Sequence, residues 1–295
     1  MRVLIAGCGF VGLPLGAELA RTGHDVLGLR RSRAAEAQLR AAGLTPVTAD
    51  LTRPETLSGI RGSFDWVVFC ASAAGGGVRE YREIYVGGLR HLLAWLTPAP
   101  PRKFVYTGST SVYAQTDGTE VDETSPTEPA EETGQILLQA ESILLAAARE
   151  RQFPGVVLRL AGIYGAGRGY WLKQFLRGAV RLEGQGDRVL NMVHRDDVVG
   201  AVIQALQHGR AGEVYNVVDD EPVTLRACCE WLSGKLTRVL PAGAPAPAGK
   251  PRKRGASNKR VSNRKLKHEL HYRFKHPTFR EGFASELQTY DPAAA

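Results

Sequence analysis

No stretch of this chain approaches the roughly 18 uninterrupted apolar residues that a membrane-spanning helix needs, so no span is expected. The apolar N-terminus behind Arg2 invites a reading as an export signal. Glu18 and Arg21 interrupt it, however, and its regularly spaced glycines do not belong to such a segment. A cytoplasmic protein without membrane attachment is the expectation. Cysteine is scarce: Cys8, Cys70, Cys228 and Cys229 fit no metal-binding spacing, and adjacent cysteines seldom pair, which points to reduced thiols and no bound metal. Acidic residues are missing altogether from 231 to 268, where eleven Lys and Arg more than account for the net charge of +8. That stretch also lacks aromatics between Trp231 and His268, so base stacking has no support and nucleic acid is the least favoured partner. A solvated loop is the simpler reading of residues 250–267, and an anionic cofactor or small-molecule substrate the functional one.

What is present is a globular composition, 43% hydrophobic and 23% charged over 295 residues, enough for one large α/β domain with or without a smaller lobe. Short apolar, β-rich runs at 3–6, 25–29, 46–49, 66–70, 103–107 and 156–160 alternate with helical spacing at 13–21, 34–42, 80–96 and 134–149. Repeated βα units with strands apolar on both faces predict a doubly wound, Rossmann-like parallel sheet whose strand ends line a ligand-binding rim. The second half is less regular. Helices are expected at 170–178, 196–208 and 278–287, strands at 188–192 and 213–217, and a Pro/Ala/Gly-rich linker at 241–251. The expected division is a nucleotide domain over 1–160, with 188–217 returning to it, and a smaller, discontinuous C-terminal lobe from 161–187 and 218–295.

The most specific local feature is Gly7-Cys8-Gly9-Phe10-Val11-Gly12, set between the run Val3-Leu4-Ile5-Ala6 and a helical segment. In a strand–turn–helix context, Gly7 permits a tight turn, Gly9 lets the backbone approach a pyrophosphate and Gly12 lets the helix pack close to the strand. Phe10 and Val11 then present backbone N–H groups at the positive end of the helix. A preference for NAD is usually carried by Asp or Glu about 20 residues further on. Here the second strand ends in Leu29-Arg30-Arg31-Ser32-Arg33, and a guanidinium fork at Arg30 and Arg31 suits a 2′-phosphate, which favours NADP over NAD. Arginines at a helix start also serve as plain surface charge. Asp50 and Leu51, past the third strand, are assigned to the adenine, and Ala71 and Ser72, past the fourth, complete the expected cofactor contacts.

Beyond the turn, the run Phe104-Val105-Tyr106-Thr107-Gly108-Ser109-Thr110-Ser111-Val112-Tyr113 carries a family signature. So do Leu158-Arg159-Leu160-Ala161-Gly162-Ile163-Tyr164-Gly165, Val193-His194-Arg195-Asp196-Asp197 and Val214-Tyr215-Asn216-Val217. In this order, and over nearly the whole length, the chain resembles the extended short-chain dehydrogenase/reductase superfamily of the NAD-dependent epimerase/dehydratase type. The resemblance implies a substrate-holding hydroxyl at Ser109 and an acid/base Tyr-x-x-x-Lys helix after it. Matching Ala140-Glu141 to the family places Thr133 at the tyrosine and Leu137 at the lysine, and no Tyr or Lys occurs between Val121 and Arg149. A threonine hydroxyl titrates far too high for this work, and a leucine offers a ribose no hydrogen bond. The asparagine frequent in the central helix of the family is also absent, with Tyr85 near its place.

Replacement acids are conceivable at Tyr85, Tyr113 and Tyr164, although the last two read more simply as packing residues and His194 as a helix cap. The carboxylate pairs Glu131-Glu132 and Asp219-Asp220 read as solvated. Three functions remain in view: an NADP-dependent oxidoreductase with non-standard proton transfer, a non-catalytic NADP-binding redox sensor or regulatory module, and, lowest, a nucleotide-sugar epimerase or dehydratase. Partners are then an unidentified, anionic small molecule and a second copy docked through the helices at 80–96 and 134–149.

Overall fold

The computed structural model describes residues 1–73, 75, 77–244 and 257–288. Seven strands, β1 (Arg2–Ala6), β2 (Asp25–Arg30), β3 (Thr45–Thr48), β4 (Trp66–Phe69), β5 (Lys103–Ser109), β6 (Gly155–Leu160) and β7 (Val214–Val217), form one parallel sheet in the order β7-β6-β5-β4-β1-β2-β3. The order runs outward in both directions from β1 and β4, so the crevice for a ligand lies beyond their carboxyl ends. In register, Leu4 sits beside Leu27 and Val67.

Alternation along the strands divides the core. Val3, Ile5, Val68 and Val156 face one side, packed with Leu15 and Leu19 of α1 (Gly12–Arg21) and Leu39 of α2 (Glu36–Ala41). Leu4, Ala6, Phe69 and Val157 face the other, packed with Leu89 and Leu92 of α3 (residues 78–96) and Ile136 and Leu144 of α4 (Glu132–Arg151). Helix α3 includes a π-helical stretch, Arg82–Gly88. The first-half elements and the two helix-bearing faces are those the apolar periodicity predicts.

The second half adds α5 (Tyr170–Leu176), α6 (Arg195–His208), α7 (Leu225–Leu236), α8 (Arg264–Glu269) and α9 (Phe279–Gln288). Helix α6 covers the first face of the sheet through Val198, Val202 and Ala205. Helix α7 was not expected, yet it has a cap, since Thr224 Oγ1 accepts from Ala227 N at 3.1 Å. It buries Leu225, Cys228, Cys229 and Leu232, an i, i+3, i+4, i+7 stripe. The strand expected at 188–192 is two short pieces. Val189–Leu190 pairs antiparallel with Val223–Thr224, and Met192–His194 runs parallel to Gly162–Tyr164. A third core gathers Tyr164, Leu172, Leu190, Leu225, Phe279 and Phe283. Val261, Leu266, Leu270 and Tyr272 instead join the core under α6, which divides the described residues of 218–295 between two cores. All four cysteines are free thiols, and no described helix is long and apolar enough to cross a membrane. Most of the linker at 241–251, with Lys250, Arg252, Lys253 and Arg254 of the basic stretch, lies outside the described residues.

Candidate cofactor site

The glycine turn leaves β1 with Gly7 in a left-handed conformation, φ 106°, tied to β2 by bonds from Gly7 N and Cys8 N to the Leu29 carbonyl at 3.2 and 3.3 Å. A Cβ at Gly7 would stand 2.4 Å from Ala71 N, and one at Gly12 only 2.3 Å from the Gly7 carbonyl oxygen. These two positions are closed to side chains by the neighbouring backbone. At Gly9 a Cβ would meet only Arg30 Nη1, at 4.0 Å, so the space there is open toward a ligand. Helix α1 begins behind Val11 with no side-chain cap and no acidic residue in its first turn; Leu13 N donates to the Gly9 carbonyl at 3.1 Å, which leaves the N–H groups of Phe10, Val11 and Gly12 for an anion. A cleft of about 330 Å³ opens at this point, lined among others by Gly9, Phe10, Leu13, Arg30 and Arg195.

Arg30 is half-buried and donates from Nη1 to the Cys8 carbonyl, which points its guanidinium into the cleft; Arg31 is exposed. Ala71 lies against Gly7, and Ser72 is exposed beside it. The Asp50 carboxylate is engaged locally, accepting from Thr52 N at 2.9 Å and Thr52 Oγ1 at 2.8 Å. Leu51 is buried under α3 and its carbonyl meets His91 Nδ1 at 2.8 Å.

Ser109 ends β5 at the rim, where its Oγ accepts from Ser111 N at 3.2 Å and keeps its own proton to donate. Thr133 stands in the first turn of α4, and Leu137 is buried in the apolar core with Val112 and Tyr113. Of the three alternative phenols, none has a lowered pKa. Burial pushes Tyr85 up to about 12, reinforced by the neighbouring Tyr81. Tyr113 is raised by burial against the opposing pull of Arg159, and its hydroxyl accepts from Arg159 Nη1 at 2.8 Å and donates to Asn216 Oδ1 at 2.9 Å. Tyr164 is raised by burial and by Asp219, and lies under α9, edge-on to Phe283. Tyr113 and Tyr164, read more simply as packing residues than as acids, are almost wholly enclosed.

His194 caps α6, accepting at Nδ1 from Asp196 N at 3.2 Å, as the sequence suggests. It also stacks on His276 at 3.8 Å, with Asp197 close by. The Asp197 carboxylate already accepts from Tyr272 Oη, Lys275 N and His276 N, so this trio is a hydrogen-bonded node under α6. Asp219, read as solvated, is 1% exposed, and burial raises its pKa well above the ordinary aspartate value. The error has a physical cause: Pro277 and Asn263 arrive from far along the chain to enclose the 218–220 turn. Sequence reasoning also missed Arg168 and Arg195, whose guanidinium carbons lie 4.8 and 5.6 Å from the Phe10 ring centre. Nothing local marks either as a neighbour of the glycine turn.

The NAD dependent epimerase/dehydratase family model matches residues 3–218. Protein YeeZ of Escherichia coli (strain K12) is 30% identical over 227 residues, covering 73% of this chain and 77% of YeeZ. The dTDP-6-deoxy-L-talose 4-dehydrogenase (NAD(P)(+)) of Kitasatospora kifunensis is 31% identical over 267 residues, 82% of either chain. In fold, the chain superposes on the dTDP-glucose 4,6-dehydratase DesIV of Streptomyces venezuelae, solved with NAD bound. That match has a TM-score of 0.82 at 24% identity, covering 98% of this chain and 97% of that one. With its glycine turn, its sheet order and its matched motifs, this chain belongs to the NAD-dependent epimerase/dehydratase family.

Proposed function

We propose that this protein binds NADP(H) in preference to NAD(H) and serves a hydride-transfer reaction whose proton does not come from the family's tyrosine. The observation that carries the preference is Arg30. It lines the cleft at the start of α1 where a ribose-binding carboxylate would otherwise stand, and Arg31 follows it. The backbone of Gly9, Phe10 and Val11 would hold the diphosphate, and the open space at Gly9 fits that role. When bound, the nicotinamide supplies or accepts the hydride. Ser109, with a proton to donate, would orient a substrate oxygen. The related dehydrogenase from Kitasatospora kifunensis is named for use of either dinucleotide, so the phosphate preference rests on this chain's own arginines.

Calorimetric titration with NADPH, NADP⁺, NADH and NAD⁺ tests the reading. NADPH is expected to bind at least about tenfold tighter than NADH, and the double variant Arg30→Ala/Arg31→Ala to lose that margin. Equal affinities, or a preference for NADH, would overturn it. A second reading, binding without turnover, is favoured by Leu137, whose apolar burial leaves the expected lysine position without a cation. NADPH consumption with a panel of carbonyl compounds, lost in Ser109→Ala while binding survives, separates an enzyme from a sensor.

A further inference from the structure

The cleft beside the glycine turn is built from both halves of the chain. Arg30, at the end of β2, lines it. Arg195, the first residue of α6, lines the same cleft from a segment 165 positions away. The remaining lining side chains are Cys8, Phe10, Leu13, Pro14 and Gln38, so no carboxylate projects between the two guanidiniums. An anion entering this cleft can gain charge-assisted bonds from both guanidiniums.

Each guanidinium is also held in place before any ligand arrives. Arg30 is fixed by the Cys8 carbonyl. Arg195 is fixed by Asp196, whose Oδ1 accepts from Nε at 3.0 Å and Nη2 at 2.9 Å, leaving Nη1 with no hydrogen-bond partner among the described residues. The Phe10 ring below supports it, and the side chain is only 24% exposed. A pre-oriented, partly desolvated guanidinium loses little entropy on binding and is weakly screened.

We propose that Arg195 is the second jaw of the phosphate site, closing opposite Arg30 on the 2′-phosphate of the cofactor and setting its selectivity. The inference rests on the NADP(H) reading above. It adds a residue from the second half of the chain that discriminates between the two dinucleotides. Selectivity between the two dinucleotides separates this role from a general diphosphate contact, which would serve both alike. Arg168 stacks on the same Phe10 but does not line the cleft, and it provides the internal comparison.

The test measures dissociation constants for NADPH, NADH, 2′,5′-ADP and 5′-ADP in the wild-type chain and in Arg195→Leu, Arg195→Lys and Arg168→Leu. In Arg195→Leu, NADPH and 2′,5′-ADP are expected to weaken about tenfold, while NADH and 5′-ADP stay within about twofold. Arg195→Lys, which keeps the charge and the packing of the helix start, is expected to recover part of the loss. Arg168→Leu is expected to leave the NADPH-to-NADH ratio unchanged. Equal weakening of both dinucleotides in the Arg195 variants, or no change in either, would overturn the proposal while the wild-type preference stands. A wild-type chain without that preference would overturn the NADP(H) reading, and this proposal with it.

Discussion

Burial decides which ionisable side chains near the rim can exchange a proton. A phenol becomes a useful acid near neutral pH only when a neighbouring cation favours its ionised form, and the family's lysine is the group that does this. The resemblance puts Leu137, a buried core residue, at that place, and the three phenols Tyr85, Tyr113 and Tyr164 are shifted upward by desolvation. Tyr113 has a cation beside it, but Arg159 is committed to Glu141. Its Nη2 lies 2.9 Å from Glu141 Oε2, and both side chains are almost fully buried. The pair locks α4 to β6, with the Tyr113 hydroxyl as its third member. Removing one partner of a buried pair strands the other charge, so Glu141→Ala should lower unfolding stability by about 3–5 kcal/mol. Urea denaturation of the variant measures this. A loss below about 1 kcal/mol would mean that the guanidinium finds other acceptors.

At the scale of elements, the turn between β6 and α5 is governed from the far end of the chain. Ala166 and Gly167 have positive φ, 47° and 73°, so their successive N–H groups converge on one point. The Glu286 carboxylate of α9 fills it, accepting from Ala166 N at 2.6 Å and Gly167 N at 2.8 Å. The same carboxylate stands 3.6 Å from His194 Nε2 at the start of α6. One side chain of the last helix thus holds the turn that carries Arg168 over Phe10. Glu286→Ala should accelerate amide hydrogen exchange at Ala166 and Gly167 by about tenfold or more, since charge-assisted bonds of this kind contribute roughly 1.5–3 kcal/mol. Unchanged protection at these two amides would show that the turn stands without α9.

For the whole molecule, the buried carboxyl of Asp219 sets a pH dependence. Its pKa is raised in the folded state, first by burial and then by nearby Glu221 and Asp220. The folded protein therefore holds a proton that the unfolded chain has released. Its contribution to stability is full below the ordinary aspartate value and declines as pH rises from about 4 toward the raised folded value. Asp219→Asn removes the titration, so the decline of thermal stability with pH should be shallower in the variant, with the two proteins compared at matched ionic strength. Identical profiles would place the proton elsewhere.

The periodicity of short apolar runs, the glycine spacing and Arg30-Arg31 were readable in order along the chain because each is a local matter. Strand burial, a tight turn and the residue ending a strand depend on neighbours a few positions away. The expected placing of Thr133 and Leu137 at the family's tyrosine and lysine rests likewise on identity at a spacing. Helix α7 carries local signals too, the Thr224 cap and an apolar stripe, beside a segment with no chemical signature. What the tertiary structure alone decided is who meets whom at long range. It buried Asp219 under Pro277 and Asn263, enclosed Tyr164 beneath α9, and brought Arg195 across to the glycine turn. No sequence pattern encodes these meetings, because they follow from how the second half closes on the sheet, and desolvation and charge proximity act through space and not along the chain.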